Sequence, residues 1–257
     1  LGPLPATARA EVALVFGYPS VWMSEIQPQG RDLSALRAAF EMYTALRRLG
    51  LDVDIVAPEA DLTGYRLIAV PMLLDADAAL AGKLAASGAQ VLVGPRSGSK
   101  TRDFQIPPSL APGALQALLP LAVTRVESLR RGASVGVSID GVAHAVTRWR
   151  EWLRTDLTPR ARFTDGGGAW FSHGKAHYLA GWPEPAMLRT VLRALTEAAG
   201  ITTTDMADGV RWRRRGGLCL AINYAAEHRP AHAPAGAKFV IGGPDLPPAG
   251  IAAWRQA

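Results

Sequence analysis

The stretch Trp22-Met-Ser-Glu-Ile-Gln-Pro-Gln-Gly-Arg-Asp-Leu-Ser34 separates an apolar run at 11–16 from a long periodic segment that closes with Leu51-Asp-Val-Asp-Ile-Val56. The stretch is polar and is interrupted by Pro28 and Gly30, a composition that predicts an irregular loop with an exposed Trp22. Because ordering a loop costs conformational entropy, we expect this one to contact a partner or a ligand.

A helix is predicted directly after this loop. Large apolar residues recur at steps of three and four, which predicts an amphipathic helix with one buried face, and they are Leu33, Leu36, Phe40, Tyr43, Leu46 and Leu49. Asp32 is the predicted N-cap, since its carboxylate can accept free amide hydrogens at a helix start. Gly50 is predicted to end the helix.

Further apolar runs alternate with helical segments on both sides of this unit. The continuous apolar run at 11–16 predicts a strand buried on both faces, and 53–56 predicts a short buried strand. Two further strands are predicted at 67–71 and 90–94, and a second helix is predicted from Asp75 or Asp77 to Gly88. This alternation predicts an α/β fold with an open, mostly parallel sheet.

After residue 95 the alternation of strand and helix patterns stops. Residues 95–108 form a long polar loop, 121–180 have the pattern of β-hairpins, and a helix is predicted from Pro185 to Gly200. Short strands between Pro and Gly loops then predict a small all-β unit. We therefore divide the chain into a linker (1–10), an α/β domain with hairpin additions (11–205) and a small β domain (206–257).

Composition excludes several classes of protein. The chain has 257 residues and a formal net charge of +6, but its arginines are scattered, and the densest run, 211–215, is interpreted as a solvated strand edge. Nucleic-acid binding is therefore disfavoured, and no apolar run approaches the length of a membrane span. The single cysteine, Cys219, is interpreted as a packing residue and predicts a reducing, cytoplasmic location.

The sequence offers no complete set of catalytic residues. A hydrolase on such a sheet needs a Ser or Cys nucleophile at a sharp strand-to-helix turn, and Ser97 is only a weak imitation of one. The histidine pairs 173/177 and 228/232 lack a helical zinc-site pattern. Glu25 has no second carboxylate beside it, as a glycosidase would require. No catalytic residue, metal or cofactor is predicted.

Three segments resemble the middle domain of the β-galactosidases of glycoside hydrolase family 42: residues 17–30, 43–56 and 94–107. The tail, with Cys219-Leu-Ala-Ile-Asn-Tyr224 and Leu246-Pro-Pro-Ala-Gly-Ile251, is similar to the small C-terminal β domain of that family. The resemblance covers roughly residues 10–257.

This resemblance implies a flavodoxin-like fold, related to class I glutamine amidotransferases that have lost their nucleophile. It also implies a non-catalytic trimerisation domain in a homotrimer, with the barrel that carries both catalytic glutamates outside this chain and terminal β-D-galactosides as the substrate of the whole enzyme. Trp22, Glu25, Gln27, Arg96 and Phe104 are then candidates for a subunit interface or a shared substrate cleft.

Two alternatives remain open at this point. One is a free-standing amidotransferase-like or carbohydrate-binding protein with its own pocket. The other is an oligomerisation module from a different sugar hydrolase.

Overall fold

The computed structural model describes residues 9–30 and 32–255. Most of the predicted linker, residues 1–10, lies outside this range. The first part of the chain alternates strands and helices in the order β1 (Val12–Val15), α1 (Tyr18–Ile26), α2 (Ala35–Arg48), β2 (Val53–Val56), β3 (Leu67–Val70), α3 (Ala78–Ala86) and β4 (Gln90–Val93).

A long loop and a short 3-10 helix, Gly113–Ala117, lead to the hairpin region. Its elements are β5 (Ala122–Ser128), β6 (Ser134–Ile139), β7 (Val142–Arg154), β8 (Ala161–Phe163), β9 (Gly168–His173), β10 (Ala176–Leu179), β11 (Gly181–Pro183) and α4 (Pro185–Ala198). The last part contains β12 (Val210–Arg215), β13 (Leu218–Asn223), β14 (Arg229–Pro230), β15 (Phe239–Ile241), β16 (Asp245–Leu246) and β17 (Ile251–Arg255).

The predicted parallel strands form one half of a large mixed sheet. Their order is β2-β1-β3-β4-β10, and every neighbouring pair in this half is parallel. The strands β1 and β3 are buried along their whole length. The α/β prediction is therefore confirmed. The prediction of a buried strand at 53–56 is wrong in part, because β2 is the edge strand of the sheet and Ile55 is 60% exposed.

The hairpins continue the same sheet. Strand β10 is parallel to β4 on one side and antiparallel to β9 on the other, so the order runs on through β9-β8-β6-β7-β11, and β5 also pairs with β7. Residues 121–180 thus form antiparallel hairpins as predicted, and β11 adds a strand beyond that range. One hydrophobic core extends from the parallel half into this antiparallel half.

The last strands build a separate small sheet in the order β12-β13-β17-β15. Trp212, Cys219 and Trp254 lie in its own core, which confirms Cys219 as a packing residue. Burial raises the pKa of the Cys219 thiol to about 11, so the thiol stays protonated. The run 211–215 lies in β12, the edge strand of this sheet, and is partly exposed, in agreement with its interpretation as a solvated strand edge.

Three predictions for residues 18–49 are wrong. The first part of the predicted loop, residues 22–26, belongs to the helix α1, and Ser34 rather than Asp32 caps α2, since its hydroxyl accepts a hydrogen bond from the Arg37 amide at 3.2 Å. The buried face of α2 consists mainly of small residues and Met42, so Leu36 and Phe40 are exposed, whereas Leu46 is buried as predicted. Small alanine side chains let the helix lie close to its neighbours, and the larger side chains point outward.

Candidate functional site

The predicted site residues lie at the carboxyl end of the parallel strands, the edge where β1, β3 and β4 finish. Helix α1 leaves β1 here, and residues 94–105, which we call the elbow loop, leave β4 here. In open α/β sheets this end is where binding and catalytic groups collect.

The elbow loop begins with a sharp turn at Arg96. Arg96 has a φ of +63°, an unfavourable value for a residue with a side chain. Added Cβ atoms at Gly94 and Gly98 would lie 1.9 Å from the carbonyl oxygens of Pro71 and Pro112, so only glycine fits on either side. Ser97 is fully buried, and its hydroxyl accepts a hydrogen bond from the Leu73 amide at 3.2 Å.

A buried carboxylate lies directly behind this turn. Glu151 on β7 is 1% exposed, and its Oε1 accepts hydrogen bonds from the Arg96 amide and from Trp149 Nε1, each at 2.9 Å. Its Oε2 accepts from the Tyr178 hydroxyl at 2.6 Å. Burial raises the pKa of Glu151, although these donors and the charge of Arg96 act in the opposite direction.

The Arg96 side chain is buried in the same place. Only 4% of the residue is exposed, and its guanidinium lies over the Trp149 ring, 5.2 Å from the ring centroid. Burial lowers the pKa of Arg96, and the nearby Glu151 charge opposes that shift. Arg96 therefore supports the elbow loop from beneath and does not line its surface.

The outer part of the elbow loop contacts the end of α1. Lys100 Nζ donates a hydrogen bond to Gln27 Oε1 at 3.0 Å and lies 4.6 Å from the centroid of the Phe104 ring. Two of the sequence candidates, Gln27 and Phe104, are therefore brought together by Lys100. The sequence analysis missed Lys100 and Glu151, because nothing local distinguishes a loop lysine or a glutamate within a strand.

Large apolar side chains face solvent at this end of the sheet. Five of them, which we call the apolar patch, are between 55% and 73% exposed, and they are Tyr18, Trp22, Ile26, Leu36 and Phe40. The first three share one face of α1 at steps of four residues, and the Tyr18 and Trp22 rings stack with centroids 6.2 Å apart. Leu36 and Phe40 are four residues apart on α2, which packs against α1.

Polar side chains of α2 and of the neighbouring strands β7 and β11 are paired with one another. Glu41 accepts hydrogen bonds from Arg37, Arg148 and Trp182 at 2.9, 2.8 and 2.6 Å. Burial acts to raise the pKa of Glu41, but these donors outweigh it and the pKa is lowered. Of the remaining sequence candidates, Trp22 belongs to the apolar patch and Glu25 is exposed on α1.

The amino end of the same strands carries an open cleft of about 1320 Å³. It lies between the start of β2 and the small sheet, and its lining includes Asp52, Arg66, Arg213, Trp212 and Trp254. The two tryptophans are buried and pack edge to face at 5.5 Å, so neither offers an open ring face to a sugar.

Among residues 9–30 and 32–255, no cluster of three or more His, Cys, Asp or Glu side chains could hold a metal ion. His177, for example, is buried between the Ser172 hydroxyl and Gln90 Oε1, at 2.8 and 2.9 Å. None of the helices that the structure describes is long and apolar enough to cross a membrane.

Residues 10–202 match a protein family described as the β-galactosidase trimerisation domain. The chain is 47% identical over 255 residues to β-galactosidase BgaA of a Thermus species and 45% identical over 260 residues to a β-galactosidase of Thermus thermophilus. Each alignment covers 99% of this chain but only 39% of the relative.

The fold is also similar to solved β-galactosidases. The enzyme from the psychrophilic Marinomonas ef1 superposes with a TM-score of 0.93 at 36% identity, covering 99% of this chain and 38% of that one. The chain thus spans about two fifths of the length of the relatives that it matches.

Proposed function

The chain belongs to the β-galactosidase trimerisation-domain family, and from this premise we propose that it is the non-catalytic assembly portion of a family 42 β-galactosidase. The full-length polypeptide would form a homotrimer and hydrolyse terminal β-D-galactosides with retention. Its catalytic carboxylates would come from a barrel domain that these residues do not contain.

The apolar patch is the observation that carries this proposal. Several large exposed apolar side chains on two packed helices favour an interaction site, because leaving such side chains in water is unfavourable. The patch combines aromatic side chains with Ile26 and Leu36 on two packed helices. Aromatic side chains are enriched at the centres of protein interfaces.

The elbow supports a non-catalytic role. A nucleophile would stand at Arg96 in a hydrolase or amidotransferase of this architecture, and arginine cannot act as one. Strand order β2-β1-β3-β4-β10 corresponds to the doubly wound 2-1-3-4-5 order, so we assign the parallel half to the flavodoxin-like type, with an amidotransferase-like elbow.

We place the candidate residues accordingly. Trp22 contributes to the subunit interface directly, and Glu25, Gln27 and Phe104 surround it or line a cleft shared with a neighbouring domain. Arg96 holds the elbow loop from within. The domain boundaries proposed are 11–205 for the assembly domain and 206–257 for the small β domain, and the reduced, buried Cys219 supports a cytoplasmic location.

Light scattering after gel filtration tests the proposal. We expect a mass near three times 27.3 kDa, about 82 kDa, and no hydrolysis of a chromogenic β-galactoside by the chain alone. A mass of 27.3 kDa at every protein concentration would contradict assembly through these residues. Hydrolysis by this chain would contradict the non-catalytic role.

The alternative, a carbohydrate-binding protein with its own pocket, would use the cleft at the amino end. The buried, mutually packed Trp212 and Trp254 do not favour it. Saturable calorimetric binding of galactose or lactose to the isolated chain, lost on substitution of Arg213, would support that alternative instead.

A further inference from the structure

We propose that Glu151 is the positioning residue of the elbow loop: its carboxylate, buried in β7, fixes the strained turn at Arg96 and thereby the outer residues Lys100 and Phe104. The importance of this loop for assembly rests on the function proposed above. The positioning role itself concerns only this chain.

The turn at Arg96 requires an external support. A positive φ is unfavourable for arginine and persists only where surrounding contacts hold it. The Glu151 carboxylate supplies such a contact by accepting the Arg96 amide hydrogen at 2.9 Å across 55 residues of sequence. The same oxygen accepts the Trp149 indole N–H, which places the ring on which the Arg96 guanidinium rests.

Charge also favours this pairing. The side chains of Arg96 and Glu151 are both buried. Because an isolated buried charge is strongly unfavourable, each stabilises the other. The positive charge of Arg96 near the carboxylate and the three hydrogen-bond donors offset part of the cost of burying Glu151, although burial still raises its pKa. Arg96 Nη1 makes no hydrogen bond within the described part of the chain, so the guanidinium depends on its contact with Trp149 and on Glu151.

The support extends to the surface through main-chain bonds. The Ser99 amide donates to the Arg96 carbonyl at 3.1 Å, and the Lys100 amide donates to the Leu74 carbonyl at 2.8 Å. Lys100 then reaches Gln27 and the Phe104 ring. A shift of the Arg96 turn would therefore displace the contact between the elbow loop and α1.

Hydrogen–deuterium exchange of the full chain tests this role. In Glu151→Gln, we expect amides of residues 96–104 to exchange at least tenfold faster, because a neutral amide oxygen holds the Arg96 and Trp149 N–H groups less strongly than a carboxylate does and leaves the buried Arg96 charge without its counter-charge. Tyr178→Phe is the matched control, since it removes one donor to the same carboxylate but leaves the Arg96 bond. In that variant we expect exchange in 96–104 to change less than twofold.

A double variant separates positioning from general destabilisation. Glycine adopts a positive φ without strain, so Arg96→Gly should lessen the dependence of the turn on Glu151. We expect Arg96→Gly/Glu151→Gln to exchange more slowly at 98–104 than Glu151→Gln alone. If Glu151→Gln does not fold, folding of the double variant would itself show that Glu151 supports the turn at Arg96.

Three results would overturn the inference. They are an unchanged exchange rate at 96–104 in Glu151→Gln, an equal increase of that rate in Tyr178→Phe, and an exchange rate at 98–104 in the double variant as high as in Glu151→Gln. Exchange in 96–104 is read from the chain whatever its oligomeric state. A monomeric parent chain would contradict the proposed function and leave this test intact.

Discussion

At the amino end of the parallel strands, charged side chains are paired with one another, whereas at the carboxyl end large apolar side chains face solvent. Glu11 pairs with Arg66 at 2.5 Å, and Asp52 pairs with Arg47 and Arg214 at 3.1 and 3.4 Å. At the other end, Trp22 and Phe40 are exposed while the polar groups are enclosed. The comparison shows that the amino end satisfies its own groups, and that the carboxyl end leaves a surface suited to a partner.

Helix α2 connects the two ends. Its first turns carry Leu36 and Phe40 of the apolar patch. Near its last turn, the buried Arg47 donates to the carbonyl oxygens of Leu51 and Trp212, and so holds the small sheet against the larger one. Variants at opposite ends of one helix can therefore test the two surfaces separately.

The largest expected effect is the loss of assembly in Trp22→Glu/Phe40→Glu. Each buried, unpaired carboxylate would cost about 3 kcal/mol, so association should weaken at least a hundredfold. We expect light scattering to give the monomer mass of 27.3 kDa. Ile251→Glu is the matched control, since Ile251 is 49% exposed on β17 of the separate small sheet and should leave the mass unchanged.

Arg47→Met should have the next largest effect, on stability rather than on assembly. The substitution leaves the carbonyl oxygens of Trp212 and Leu51 without their hydrogen-bond donor and removes one ion-pair partner of Asp52. We therefore expect the free energy of unfolding, measured with urea, to fall by about 3–4 kcal/mol. Arg37→Met, an exposed residue of the same helix, is the control. A decrease below about 1 kcal/mol for Arg47→Met would show that the amino end does not depend on this residue.

Acid should destabilise the amino end through His177. Burial, and secondarily the charge of Arg160, lower the pKa of His177 from 6.5 to about 4. The unfolded chain therefore takes up a proton at this residue before the folded chain does, and stability is lost as the pH falls from 6.5 to 4, by at most about 3 kcal/mol. The slope of unfolding free energy against pH should be shallower in His177→Gln than in His173→Gln, and equal slopes would contradict this assignment.

The smallest effect is expected at the start of α2. Ser34→Ala removes the acceptor for the Arg37 amide and should lower the free energy of unfolding by about 1 kcal/mol. Ser34→Asp, which keeps an acceptor, should lose little. Both variants should retain the parent mass in light scattering, and loss of assembly in Ser34→Ala alone would show that the patch depends on the cap.

Local sequence signals predicted much of the fold. The helix predicted to start at Asp75 or Asp77 is present and is capped by Asp77, and the helix after Pro185 and the four parallel strands are also present. Caps, glycine ends and continuous apolar runs act within a few residues, so the sequence shows them directly. The sequence resemblance also identified the family, which the match of residues 10–202 confirms.

The sequence alone determined most of the helices and strands, since caps, glycine ends and apolar runs depend on residue types at fixed spacings, but it did not determine α1. Only the tertiary structure decided which face of α2 is buried. The periodicity predicts that one face of the helix is apolar. Because the neighbouring elements lie close to α2, its buried face holds alanines, and Leu36 and Phe40 are exposed to solvent. Contacts between distant segments, such as Glu151 with Arg96, likewise follow from the pairing of strands and have no local signal.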